Sequence, residues 1–318
     1  MSITTVEHGF IKTNGVNLHY VTQGEGKLML MLHGFPEFWY SWRHQIAEFA
    51  QDYRVVAIDM RGYNDSDKPE SLFSYKMSEL IADVKGVISG LDYEDCILVA
   101  HDWGGAIAWN FVYKHPEMVE KLIIMNLPHP AKFIAGLKTW KQLQKSWYIF
   151  FFQLPLLPEF IFQANNYQAI ASAFVEMASQ RGGSRPRVAV RRKGMLDLRF
   201  HRHKATGEGA IDKSAFTPED LSVYKEAAAK PGALNAMINY YRANFNLIPD
   251  NNQTQEYGIL NIPTLMTWGE EDTALGKELT YGTDAYVKDL ELKYIPNCSH
   301  WVQQEQPDLV NRYMRDFL

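Results

Sequence analysis

The chain has 318 residues, 46% hydrophobic and 22% charged, with a net charge of −5. This is the balance of a folded globular protein; it excludes wholesale disorder and collagen-like repeats. Between Arg181 and Lys204 nine basic residues face a single acid, Asp197. The remainder is acidic, which excludes a nucleic-acid enzyme as the first expectation.

The length suits one large domain or a core carrying an insert. No apolar run approaches the roughly 18 residues that a membrane span needs. Cys96 and Cys298 are too few for a disulfide framework, and the first fifteen residues lack a secretory pattern. Both features predict a reducing, cytoplasmic location.

In chain order, Asn14-Gly15 separates two alternating segments, 9–13 and 16–22, the signature of a hairpin. Short apolar runs follow at 27–32, 54–58, 96–100, 121–125, 264–267 and 291–295. Such runs suit strands covered on both faces. Helical patterns at 78–91 and 105–115 lie between them. The alternation predicts an α/β fold with an open sheet, antiparallel at its start and parallel afterwards. The strand rhythm stops near Leu127 and resumes near Ile262. We expect a core of 1–130 and 246–318, with 131–245 inserted as a helical cap. Within the insert, the apolar block 146–162 is broken by Gln153, Pro155, Pro158 and Glu159 and reads as packed helix, with a membrane-touching patch at a pocket mouth as the alternative. The basic stretch reads as a solvated loop without a catalytic role.

The strongest chemical signal is Ala100-His101-Asp102-Trp103-Gly104-Gly105, where an apolar strand runs into a helical pattern. Small residues two before and two after Asp102 are what a strained nucleophile turn requires. A helix N-terminus behind Asp102 favours its negative charge. A carboxylate needs no deprotonation at neutral pH. It suits displacement at a saturated carbon, giving an ester.

Candidate partners also follow apolar runs. His33-Gly34-Phe35-Pro36-Glu37 ends an early strand, where a backbone N–H of Phe35 can join that of Trp103 as an oxyanion hole. Trp268-Gly269-Glu270-Glu271-Asp272 offers three acids. Asn297-Cys298-Ser299-His300 supplies a histidine near the chain end. The order nucleophile, acid, histidine is the one expected for this kind of sheet. His300 would activate water, and the acid would orient its ring.

With these motifs in place, the sequence resembles the epoxide hydrolases of the α/β-hydrolase fold. The motifs that carry the likeness are His33-Gly-Phe-Pro-Glu37, Arg61-Gly-Tyr63, His101-Asp-Trp-Gly-Gly105, Trp268-Gly-Glu-Glu-Asp272 and His300-Trp301. The resemblance selects Asp272 over Glu270 and Glu271. It also implies two cap tyrosines that hold the epoxide oxygen. One is Tyr148, in Tyr148-Ile-Phe-Phe-Phe-Gln-Leu-Pro155, with Tyr167 as a weaker rival. The other is Tyr241, in Asn239-Tyr-Tyr-Arg242, with Tyr240 as its rival. Phenols can donate to the alkoxide that ring opening creates. The pocket is expected to be lined by Phe35, Trp103, Phe151 and Phe152, and to suit a small apolar epoxide that reacts with water.

The same core serves haloalkane dehalogenases, so a dehalogenase remains an alternative, as does a non-catalytic binder of apolar ligands. A dehalogenase needs a second halide donor, and the Phe35 side chain cannot donate. The elbow begins with Ala100 where Gly is more usual, and the likeness fades over 180–215. No cofactor or metal is expected: there is no zinc-type ligand spacing and no Gly-x-Gly-x-x-Gly turn.

Overall fold

The computed structural model describes residues 6–175, 210, 212–245 and 257–318. The basic stretch 181–204 and the expected insert boundary at 246 lie outside the described residues.

Strands β1 (Glu7–Thr13) and β2 (Val16–Gln23) form the expected hairpin, with Thr13 opposite Val16. Asn14 and Gly15 both have positive φ, which Asn and Gly adopt most easily and a tight hairpin turn requires. Strands β3 (Leu28–Leu32), β4 (Arg54–Ile58), β5 (Cys96–His101), β6 (Val119–Met125), β7 (Thr264–Gly269) and β8 (Leu290–Ile295) complete the sheet. Its order is β1-β2-β4-β3-β5-β6-β7-β8. The pairs β1–β2 and β2–β4 are antiparallel, and all others are parallel.

Helices α1 (Arg43–Phe49), α2 (Met77–Gly90) and α3 (Trp103–Lys114) connect the first strands. Between β6 and β7 come α4 (Pro130–Gly136), α5 (Trp140–Lys145), α6 (Trp147–Phe152), α7 (Leu157–Phe174), α8 (Pro218–Ala229) and α9 (Ala233–Asn244). Among the described residues this stretch contains no strand. The α7 helix is interrupted by left-handed backbone at Asn165, Asn166 and Tyr167. Thr217 and Asp220 form a capping box that starts α8. Helices α10 (Val302–Glu305) and α11 (Pro307–Phe317) end the chain. No helix among the described residues is long and apolar enough to cross a membrane.

All five residues of β3 are buried because both sheet faces are covered. Alternate side chains point to opposite faces. Leu30 and Leu32 join Val84 and Ile107 in one core, while Met29 and Met31 join Ile46 and Val310 in the other. This explains why β3 reads as a continuous apolar run.

The parallel strands end together, and the loops beyond β3, β5, β6, β7 and β8 converge there. Gly104 lets α3 reach this edge. Its amide donates to the His33 carbonyl at 2.9 Å. A Cβ at that position would lie 2.2 Å from the Leu32 carbonyl oxygen. The Gly104→Ala variant should therefore lose about 1–3 kcal/mol of stability, the usual cost of overpacking. Urea denaturation with an unchanged midpoint would contradict that close approach.

Candidate active site

The Asp102 backbone sits at φ 48°, ψ −119°, the strained turn between β5 and α3. That strain turns the carboxylate out over the sheet edge. The Phe35 amide donates to Asp102 Oδ1 at 2.8 Å. The Trp103 amide opens α3, a position whose N–H has no partner within its own helix. Gly34 makes the Phe35 contact possible, since a Cβ there would lie 2.4 Å from the Asp102 Cβ.

His300 follows β8. Its Nε2 lies 3.5 Å from Asp102 Oδ2, and its Nδ1 lies 2.7 Å from Asp272 Oδ2. Asp272 also accepts from Asn126 Nδ2 at 2.7 Å and from the amides of Ala274 and Leu275 at 2.8 and 2.9 Å. Glu270 turns instead to Lys277. Burial disfavours charge on all three groups, yet their mutual attraction prevails. His300 is raised well above its usual value of 6.5, while Asp102 and Asp272 are held below theirs. His101 adds to the depression at Asp102.

A cavity of about 200 Å³ opens beside Asp102. Tyr148 and Tyr241 both line it, with ring centroids 5.9 Å apart and planes at 87°. Burial first, then the Asp102 charge, pushes both phenols up, so they remain proton donors. The Trp103 ring packs edge-on against the Tyr241 ring, with centroids 5.0 Å apart. Tyr240 is turned away: its hydroxyl donates to the Arg61 carbonyl at 2.7 Å. Tyr167 does not border the cavity.

The expected lining needs correction. Trp103 lines the cavity, but Phe35, Phe151 and Phe152 do not. Phe152 lies one helical turn beyond Tyr148 and packs on the Tyr241 ring at 4.7 Å. Phe35 packs on Phe152 and Tyr241. Phe151 turns toward Trp147. Phe35 and Phe152 thus back the Tyr241 ring, while the apolar wall comes from residues such as Leu127, Phe133 and Phe245.

Three supporting groups escaped sequence reasoning. Asn126 follows β6; its side chain holds Asp272 and accepts from the Gly269 amide at 3.0 Å. A polar residue directly after an apolar strand was its available signal. Buried Glu37 accepts from the Gly34 amide, His101 Nδ1, Gln303 and Gln304, while His101 Nε2 donates to the His300 carbonyl at 2.8 Å. This network joins the loops carrying Phe35, Asp102 and His300. Finally, Gln153 donates to the Tyr241 carbonyl and Arg242 donates to the Phe152 carbonyl. The two tyrosine segments are thereby tied to each other.

Among the described residues one group, His19, Asp59 and Asp65, has the spacing of a cation site. Both His19 ring nitrogens are already bonded, to Asp59 and to His8, and none of the three residues borders the cavity.

Residues 27–307 match the family model described as alpha/beta hydrolase fold. Mouse epoxide hydrolase 4 is 42% identical over 312 residues, covering 97% of this chain and 78% of its own. Epoxide hydrolase 1 of Caenorhabditis elegans is 41% identical over 313 residues, covering 97% and 69%. The chain belongs to the α/β-hydrolase family, in its epoxide hydrolase branch. The crystal structure of Bacillus megaterium epoxide hydrolase with an inhibitor has a TM-score of 0.81 at 34% identity, over 97% of this hydrolase and 99% of that chain. A mutant of the same bacterial enzyme was crystallised with its product, a naphthyloxy-propane-1,2-diol.

The raised His300 value gives a test of the site's electrostatics. In this hydrolase the His300 imidazolium should persist above pH 6.5 in an NMR titration, and Asp272→Asn should lower its midpoint. A wild-type midpoint at or below 6.5 would contradict the pairing.

Proposed function

We propose that this hydrolase converts small apolar epoxides to vicinal diols through an ester on Asp102, in a core of 1–130 and 246–318 beneath a cap of 131–245. The observation that carries the reading is that Asp102 and the two phenols line one apolar cavity. Only epoxide and water react. No organic cofactor or metal is used.

In the first step an Asp102 oxygen attacks an epoxide carbon, and the carbon–oxygen bond of the ring breaks. Tyr148 and Tyr241 donate hydrogen bonds to the departing oxygen, and one of them gives it a proton. The ester removes the negative charge that had kept His300 protonated. The His300 proton then replaces the one lost by the tyrosine. Neutral His300 next takes a proton from water, and the hydroxide attacks the Asp102 carbonyl carbon. The amides of Phe35 and Trp103 hold the resulting oxyanion. Collapse expels the second diol oxygen, which takes the proton from His300. The carboxylic acid left on Asp102 passes its proton to His300, restoring the starting ion pair. Asp272 keeps the imidazole oriented throughout.

A dehalogenase would share Asp102, Asp272 and His300, but would have no use for two phenols in the cavity beside the nucleophile. Two buried free cysteines accord with the cytoplasmic compartment we assign.

The test is turnover of an epoxide panel that includes an aryl glycidyl ether. Wild type should form diol, and Asp102→Ala should form none. His300→Gln should accumulate a protein adduct of substrate mass on Asp102. The double variant Tyr148→Phe, Tyr241→Phe should lose at least about 100-fold in ring opening, the scale of general acid catalysis. Halide release without epoxide turnover would overturn the reading, as would an unaffected double variant.

A further inference from the structure

Gln142 of α5 is a polar side chain only 2% exposed, and both ends of its amide are engaged. Its Nε2 donates to Ser146 Oγ at 2.8 Å and to the Ala274 carbonyl at 2.9 Å, and its Oε1 accepts from the Gly276 amide at 3.1 Å. Three residues on, Lys145 Nζ donates to the Asp272 carbonyl at 2.6 Å. Residues three apart share one side of a helix. One side of α5 thus grips the segment 272–276 at both ends.

That segment carries the acid of the site. The Asp272 carboxylate holds the amides of Ala274 and Leu275, and Gln142 holds the neighbouring Ala274 carbonyl and Gly276 amide. The other partner of Gln142, Ser146, ends α5 and begins α6, two residues before Tyr148. One buried amide therefore touches both the loop of Asp272 and the start of the helix that presents Tyr148. Removing it would strip partners from two main-chain groups, which must then shift. The other link from α5 to the core is the Lys141–Glu278 pair, whose lysine is 70% exposed. Such a pair holds little in water.

We propose that Gln142 is a positioning residue, which keeps Asp272 and Tyr148 in one register so that both half-reactions depend on it. The inference rests on the reaction proposed above. Gln142→Met keeps the length of the side chain and removes its hydrogen bonds. In single-turnover kinetics, ring opening and ester hydrolysis should each slow at least about tenfold, the scale expected when reacting groups shift by a fraction of an ångström. Tyr148→Phe should slow ring opening alone. Added to Tyr148→Phe, Gln142→Met should slow ring opening by a smaller factor than it does in the wild type, because the phenol it places is gone. The His300 midpoint in an NMR titration needs no turnover. It should fall in Gln142→Met as Asp272 loosens, while its other titratable neighbours, Asp102 and His101, are unchanged. Lys145→Met should slow both steps by a smaller factor, and Lys141→Met, the same change of charge on the same helix, should behave like wild type.

A lower melting temperature with unchanged steps and an unchanged His300 midpoint would show a merely structural role and overturn the proposal. So would slowing of one step only, or a Lys145→Met enzyme as fast as Lys141→Met. Wild-type protein that forms no ester on Asp102 would defeat the reaction instead; the positioning role would then stand or fall on the His300 midpoint.

Discussion

A carboxylate removed from water tends to take up a proton, and Asp102 does not. Its charge is held by His300 Nε2 at 3.5 Å, by the Phe35 amide at 2.8 Å and by the positive end of α3 behind it. His300 in turn keeps its proton because Asp272 lies 2.7 Å from the opposite nitrogen. Each member would be costly to bury alone. The arrangement therefore requires five loops to meet at one edge of the sheet, and the rest of the fold serves that meeting.

Close backbone approach makes the meeting possible. Gly34 brings the Phe35 amide against Asp102, and Gly104 brings α3 against the end of β3. The Glu37–His101 network then locks the loops in register through buried bonds to Gly34, Gln303, Gln304 and the His300 carbonyl. In the inserted helices, Gln153 and Arg242 fix the two tyrosine segments relative to each other. The same short α6 helix presents Tyr148 to the cavity and Trp147 to the exterior. Chemistry and surface character are thus coupled within six residues of chain.

The sheet was readable from sequence because its signals are local. The continuous apolar runs of β3 and β5 follow from burial on both faces, and Asn14-Gly15 announces its own turn. Strand ends moved by only one or two residues, since hydrogen bonding continues into polar positions such as His101 and Gly269. Asp102 stood out because it directly follows an apolar strand, and His300 because it lies in the loop after a later one, in a fixed order. Asp272 and Glu270 could not be separated by local pattern; only the fold shows that one meets His300 and the other Lys277. The cavity lining failed for a similar reason. An aromatic helix such as α6 has several faces, and sequence does not say which side chains face the substrate and which prop the tyrosines. The Glu37 network is pure tertiary contact, invisible until distant loops converge, and Asn126 shows in sequence only as a polar residue after an apolar strand, not as the partner of Asp272.

The central claim is that an oxygen atom of Asp102 is transferred to the product. A single turnover with excess enzyme in water labelled with oxygen-18 tests it directly. The account predicts an unlabelled diol and one labelled oxygen in the carboxylate of Asp102. A labelled diol with an unlabelled Asp102 would mean that water opens the ring by itself, and the account would be wrong.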